Sequence, residues 1–178
     1  MSAPALARPE SNEYAAYYEK YVSLVPEGGV VETIERQGAE TLALLRGLPE
    51  GRGAHRYEPG KWSVKQVVGH IIDTERIFAY RALAIARGES QPLPGMDQEE
   101  YMAGADFDAR TLADLADEFE AVRRSTVLLF RHLSPEAWAR RGTASDNEVT
   151  VRALAYILAG HEAHHVRILR ERYLRGEG

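Results

Sequence analysis

The sequence predicts an all-α protein built as a four-helix bundle, and three observations carry that expectation. Apolar residues recur at helical spacing between breaks rich in Gly and Pro, four such periodic segments have matched lengths, and strand-type alternation never persists beyond a few residues. Segments of about 19 to 25 residues are each about 30 Å long at 1.5 Å rise per residue. Helices matched over that length suit burial of one common core.

Each element has a local signal. "SNEYAAYYEKYVSLV", residues 11–25, predicts a short aromatic helix closed by Pro26, Gly28 and Gly29. The first long helix, about 30–48, offers Ile34, Leu42, Leu45 and Leu48 for burial, and "LPEGRGAHRYEPGKW" reads as a loop. The second, about 63–87, opens on "SVKQ": Ser63 and Gln66 have the spacing of a capping box, and Trp62 and Val67 that of a hydrophobic staple. Gly88 stops it. "GESQPLPGMDQEEYMAGADF" is a long connection, which in a compact domain is often functional. The third long helix, about 111–133, carries Leu112, Leu115, Phe119, Val122, Leu129 and Phe130. "SPEAW" predicts a single turn with Ser134 as cap and Pro135 at the first position. The fourth long helix covers about 150–174. Connections after the second and third are long enough for crossovers, so simple up-down order does not follow. Residues 1–26 are expected as an arm whose short helix packs on the bundle, and 27–178 as the bundle, one domain in all; 178 residues suffice for one core.

Composition excludes several functions. A net charge of -5 argues against a nucleic-acid partner, which would normally meet a basic face. No stretch approaches the ~18 apolar residues of a membrane span, and "MSAPALARPESNEY" lacks the apolar core of a secretory signal. A cytoplasmic location is therefore expected. With no cysteine there is no disulfide, no thiolate nucleophile and no zinc–thiolate site, so any metal must take N and O ligands.

"AGHEAHH", residues 159–165, packs three of six histidines into five residues. With each residue advancing about 100°, Leu154, His165 and Ile168 fall within about 40° of His161 and Leu158 at about 60°. His161 and His165 thus share the core-facing stripe, and His164 falls about 60° to the other side. A single buried His in a bundle is ordinarily a hydrogen-bonded core residue. Two on one stripe differ: each neutral ring buried without partners costs on the order of 1–3 kcal/mol, and imidazoles one turn apart can converge on one divalent cation. Two ligands hold a metal weakly, so a third must come from another helix. His55, in a Gly-rich loop, and His132, near a helix end, read as solvated or favourable at a helix C-terminus. His70 lies about 80–100° from the stripe through Val67, Ile71 and Phe78, and periodicity alone does not select it. Glu162, about 100° off the histidine pair, is expected to form a salt bridge. Asp73, Glu75 and Arg76 are expected in helix-surface or inter-helix ion pairs, with Asp73 a weaker candidate for orienting a ligand or substrate. His164 is either a rim or dimer-surface imidazole or a proton-transfer group beside a metal.

"GKWSVKQVVGHIIDTERIFAYRALAIARGE", "LPGMDQEEY" and "VRALAYILAGHEAHHVRILRERYL", in that order, resemble the DinB-like superfamily of four-helix bundles, and the likeness runs from "EYAAYYEKYVSLVP" onward. In that family a His early in the second long helix and an HxxxH pair in the last bind a divalent metal, which carries over to His70, His161 and His165. The resemblance implies zinc or nickel first, with iron next. Three His ligands leave an open position, where water falls to a pKa of roughly 7 and a thiol loses its proton. This chain has no thiol of its own, but a low-molecular-weight thiol could supply one as cosubstrate.

The family includes thiol-dependent transferases and isomerases. The implied function is therefore a metal-dependent transferase that activates a low-molecular-weight thiol against an electrophile, in a homodimer. The alternatives are a metal-dependent hydrolase and a non-catalytic metal-binding stress-response bundle. An enzyme needs a substrate cavity above the metal, roofed by "QPLPGMDQEEYM" with Tyr101 near its end.

Overall fold

The computed structural model describes residues 7–175; residues 1–6 and 176–178, the outer ends of the expected arm and bundle, lie outside the described residues. The arm is where expectation and structure differ most. In place of one helix it makes two 3₁₀ turns, Ser11–Glu13 and Ala16–Tyr18, and then α1, Glu19–Val22. Tertiary bonds override the local pattern. The Glu13 carboxylate accepts from the Thr150 hydroxyl at 2.7 Å and pairs with Arg152, and the next residue, Tyr14, is extended and buried.

The four long helices form close to their expected bounds: α2, Val30–Gly47; α3, Val64–Ala86; then α4, Gln98–Ala103, a short helix inside the long connection; α5, Leu112–Arg131; α6, Pro135–Ala139; and finally α7, Val151–Ile168. Their starts are set by side chains that satisfy the first free N–H groups. Ser63 Oγ accepts from Gln66 N at 3.0 Å while Gln66 Oε1 accepts from Ser63 N at 2.9 Å, the reciprocal box expected for α3. Thr111 and Asp114 form the same reciprocal box at α5, while the Ser134 and Thr150 hydroxyls each accept one N–H at the starts of α6 and α7. Past Ile168 the chain completes a turn of π-helix, Leu169–Tyr173.

A β-hairpin that periodicity did not predict joins α6 to α7. Strand β1, Arg141–Ala144, pairs antiparallel with β2, Asn147–Thr150, in the register Arg141↔Thr150 to Ala144↔Asn147. Its two-residue turn puts Ser145 at φ 51° and Asp146 at φ 61°, the pair of left-handed residues that such a tight hairpin requires. Strands of four residues, turned without Gly, leave almost no alternation to detect. Leu93, from the α3–α4 connection, docks on this hairpin: its N–H donates to Thr143 O at 2.8 Å and its carbonyl accepts from Ser145 N at 3.1 Å.

The connections give the bundle its order. Helices α2 and α3 each pack against both α5 and α7, so α2 lies diagonally across from α3 and α5 from α7, while α3 and α5 are neighbours. The apolar core falls into two clusters. One gathers Val22, Ile34, Phe78, Phe130, Leu154 and Ile157; the other gathers Leu45, Val68, Ile72, Leu115, Phe119 and Leu169. Between them lies a polar layer centred on Arg123 of α5. Its Nη2 and Nε donate to the Glu75 carboxylate of α3 at 2.7 and 2.9 Å, and its Nη1 meets Ile34 O of α2 at 2.9 Å and Glu162 Oε2 of α7 at 2.7 Å. Thr41 of α2 donates to the other oxygen of Glu162 at 2.7 Å. Gly38 of α2 makes room for this layer, since a Cβ there would lie 2.6 Å from Arg123 Cγ.

Removing one member of a buried charge network strands the others, at a cost of about 3–5 kcal/mol. Urea unfolding of Arg123→Ala should show that loss. Arg36→Ala, which breaks the exposed Arg36–Glu40 pair, should stay within about 0.5 kcal/mol of wild type.

Candidate metal centre

The polar layer continues from the charge network into the histidines. Glu162 and His161 are adjacent on α7, so the helix sends them about 100° apart, the first to Arg123 and the second toward α3. There His161 meets His70: their Nε2 atoms are 3.1 Å apart. His165, one turn on, completes the group, and one ring nitrogen from each of His70, His161 and His165 lies within 4.8 Å of the others. His70 and His161 are buried and His165 partly buried. The awkward helical angle of His70 is resolved by the width of the buried face of α3, which takes in Val67, Val68, His70, Ile71 and Ile72 together.

The donors suit a cation. Bonds of about 2.0–2.1 Å from two imidazoles to one ion put the nitrogens about 2.9 to 3.4 Å apart for angles between 90° and tetrahedral, and the observed 3.1 Å falls inside that span. Burial pushes the His70 imidazole down to about 4. Burial, with the neighbouring His70, His164 and Lys20, pushes His165 down to about 3, and burial followed by the same cluster holds His161 well below its ordinary value. All three rings are therefore neutral at pH 7, with lone pairs available for ligation.

Several neighbours fix these rings, and periodicity did not single them out for the site. Thr74 Oγ1 lies 3.4 Å from His70 Nδ1, which leaves Nε2 to face His161. The Trp62 ring is 5.0 Å from His70, and Tyr21 and Phe78 are 5.3 and 5.9 Å from His161. Thr74 could have been found from its i+4 spacing to His70, whereas Tyr21 arrives from the arm by a long-range contact. That contact depends on Gly160: a Cβ there would lie 1.9 Å from the Tyr21 carbonyl oxygen. The glycine preceding the histidine motif is what lets α1 close against α7.

Other sequence candidates lie outside the triad. His164 stands between the Tyr21 ring, at 5.5 Å, and the His165 ring, at 5.1 Å. Asp73 faces away, 4.0 Å from Arg76, which in turn meets Glu118 at 2.5 Å; burial raises the Asp73 carboxyl. The partner of His70 is Thr74, one residue further on. Glu75 and Glu162 do form inter-helix ion pairs, with Arg123.

Beside His70 and His161 opens a cavity of about 260 Å³. Its walls are Tyr17, Tyr18 and Tyr21 of the arm together with Thr74, Phe78 and Arg81 of α3. Met96, Asp97 and Gln98 of the long connection and Ser145 of the hairpin close the far side. The connection therefore roofs the cavity as expected, although Tyr101 is exposed and takes no part in its lining.

A family model described as the DinB superfamily matches residues 33–169. The chain belongs to the DinB superfamily. Among the proteins similar to this DinB chain is one from Oceanobacillus iheyensis named "Putative metal-dependent hydrolase OB0413", 26% identical over 137 residues, 76% of this chain and 77% of that protein. Among solved structures, YfiT from Bacillus subtilis, described as "a probable metal-dependent hydrolase with an unusual four-helix bundle topology", superposes with a TM-score of 0.70 at 16% identity over 95% of this chain and 93% of its own. A mycothiol-dependent maleylpyruvate isomerase gives a TM-score of 0.63 at 13% identity over 77% of this chain, which spans 58% of that longer protein. At these identities the two structures share the bundle fold with this chain. Among the described residues, no helix is long and apolar enough to cross a membrane.

Two outcomes are expected. Elemental analysis of purified protein should find close to one divalent metal per chain; His70→Ala, His161→Ala and His165→Ala should lose it, and His164→Ala should keep it. The second concerns acid. With chelator present, the unfolded chain binds protons on these histidines below about pH 6.5, while the folded triad, with His70 at about 4 and His165 at about 3, does not. The unfolded state then holds more protons, so stability is full above about pH 6.5 and falls as pH drops toward 4. Thermal unfolding across that range should show the fall, and His70→Gln should make it shallower by about one proton.

Proposed function

We propose that this DinB protein is a metal-dependent transferase that activates a small-molecule thiol for attack on an electrophile. The observation that carries this reading is the pairing of a three-imidazole cluster with a cavity poor in proton acceptors. Among the described residues, the one carboxylate lining the cavity is that of Asp97, and its Oδ1 already accepts the N–H groups of Glu99 and Glu100 at 2.9 and 3.0 Å. A cation held by His70, His161 and His165 supplies Lewis acidity, which lowers the pKa of a bound thiol or water into the neutral range. Chemistry of that kind needs no general base from the protein.

The remaining work falls to the chain's own side chains. Thr74 keeps the His70 ring turned so that Nε2 points at His161. Tyr17, Tyr18, Tyr21 and Phe78 supply aromatic walls against which an apolar electrophile packs, and Met96 helps to exclude water from the reacting end. The chain's lack of cysteine leaves thiol supply to a cosubstrate, and the isomerase that shares this fold is itself named for dependence on a small thiol.

A hydrolase is the second reading, favoured by the name of the relative that aligns over 77% of its own length. The two separate on one measurement. Protein loaded with metal, offered a panel of small thiols and a chromogenic electrophile, should turn over only when metal and thiol are both present, and chelation should abolish the rate. Equal rates with and without thiol would move the assignment to hydrolysis, and rates no higher than those of stripped protein would overturn both.

A further inference from the structure

The cavity beside the histidines holds a charge that the chemistry above does not use. Among the described residues, three Lys or Arg side chains are buried: Lys65, Arg81 and Arg123. Lys65 pairs with Glu50 at 2.6 Å and Arg123 with Glu75 and Glu162. Arg81 is only 4% exposed and, among the described residues, has no carboxylate partner. A buried cation without a counter-charge is costly in a folded protein. Its guanidinium is held by neutral acceptors, with Nη2 donating to Pro94 O at 2.8 Å and Ser145 Oγ at 3.0 Å. Arg81 also lines the cavity, and its hydrogen bonds to Pro94 and Ser145 both run from Nη2.

The surroundings are arranged to hold that guanidinium in place. Pro94 is fixed because Leu93 is bonded to the hairpin on both sides, and Ser145 occupies the left-handed region without being glycine. Because Ser145 Oγ accepts from Arg81, its own O–H remains free to donate. Lys20, an exposed residue of the arm, lies behind the cavity wall with Nζ 3.7 Å from the Tyr17 ring centroid. The opposing charge in the lining is Asp97, engaged as the cap of α4.

Helix geometry sets the distance between this cation and the triad. Arg81 lies eleven residues beyond His70, within about 20° of the same face and about 16 Å along the axis, and side chains on a helix lean back toward its N-terminus. An anion on Arg81 is thus separated from the histidines by a spacer of several atoms. We propose that Arg81, helped by Ser145, anchors a substrate carboxylate, so that the site takes elongated carboxylate-bearing small molecules whose reacting end reaches His70 and His161. A planar, fixed fork recognises a carboxylate through two parallel hydrogen bonds. The assignment of the reacting end rests on the function proposed above; the anion anchor does not.

Calorimetric titration of the full chain with mercaptohexanoate and with mercaptohexanamide, metal-loaded and after chelation, tests this. Wild type should bind the acid at least about tenfold more tightly than the amide, since a site built around a charged hydrogen bond rejects an analogue that cannot complete it. The preference should persist in stripped protein, shrink to within about twofold in Arg81→Met, survive in part in Arg81→Lys, and drop about threefold in Ser145→Ala. Equal affinities of wild type for acid and amide would overturn the proposal without recourse to any variant, as would an undiminished preference in Arg81→Met. If stripped and loaded protein both favour the acid while no thiol-dependent turnover is found, the carboxylate anchor stands and the transferase reading fails. Thiol-dependent turnover without any acid preference would have the opposite meaning: the transferase reading stands and the anchor fails.

Discussion

Arg123 is the constraint on which the rest of the structure depends. A guanidinium sealed between two apolar clusters is tolerable only with its charge and donors matched, and here Glu75, Glu162 and the Ile34 carbonyl supply partners from three other helices. Burial opposes its charge, yet the two carboxylates together raise its pKa above the ordinary value. Such a network adds little net stability compared with an apolar replacement, and its strongest effect is on register. Sliding α7 by one turn would carry Glu162 away from Arg123 and Thr41 and leave its buried carboxyl without partners. Because His161 is the residue next to Glu162, and His70 lies five residues before Glu75 on α3, the same restraint fixes where the imidazoles meet. The site inherits its precision from a salt bridge on the other side of α7.

Helix order does the complementary work. With α2 and α3 on a diagonal, the segments joining successive long helices must travel across the ends and flanks of the bundle. Two of those segments, the α3–α4 connection and the hairpin after α6, meet at Leu93 and Ser145 and cover one flank of α3. The arm covers another through the close approach of Tyr21 to Gly160. Irregular segments thus form the cavity walls, and regular helices carry the histidines. Side chains carried on regular helices are held more precisely than those carried on loops.

Features with local causes were legible in the sequence. Ser63 with Gln66, Thr111, Ser134 with Pro135, and Thr150 each satisfy their own helix start, so boundaries came within about two residues. His161 and His165 were legible because a single helix presents both. His70 was not, since the width of the face that α3 buries is decided by α5 and α7, and only the family resemblance pointed to it. Arg123 could have been noticed: it lies about 40° from Phe119 on the buried stripe, where a lone charge calls for partners. The hairpin and the bent arm were hidden for a common reason. Ser145 and Asp146 adopt left-handed conformations without glycine, and Tyr14 is extended inside an aromatic run, both because distant groups hold them there.

The charge distribution gives the site a sign that composition conceals. The chain is acidic in sum, with a formal charge of -5, yet the cavity beside His70 is lined by the buried Arg81, and its own carboxylate is committed to capping α4. Imidazoles kept neutral by burial add nothing to that field at pH 7, so a divalent cation on them would raise it by two charges at one end. A low-dielectric wall focuses such a field into the opening. Anions would then be drawn in along the axis from Arg81 to the triad while the acidic exterior repels them elsewhere, and a neutral molecule of the same shape would gain neither effect. With the cation three helical turns from the histidines on the same face of α3, the proposed anchor and the proposed metal site would engage opposite ends of one molecule.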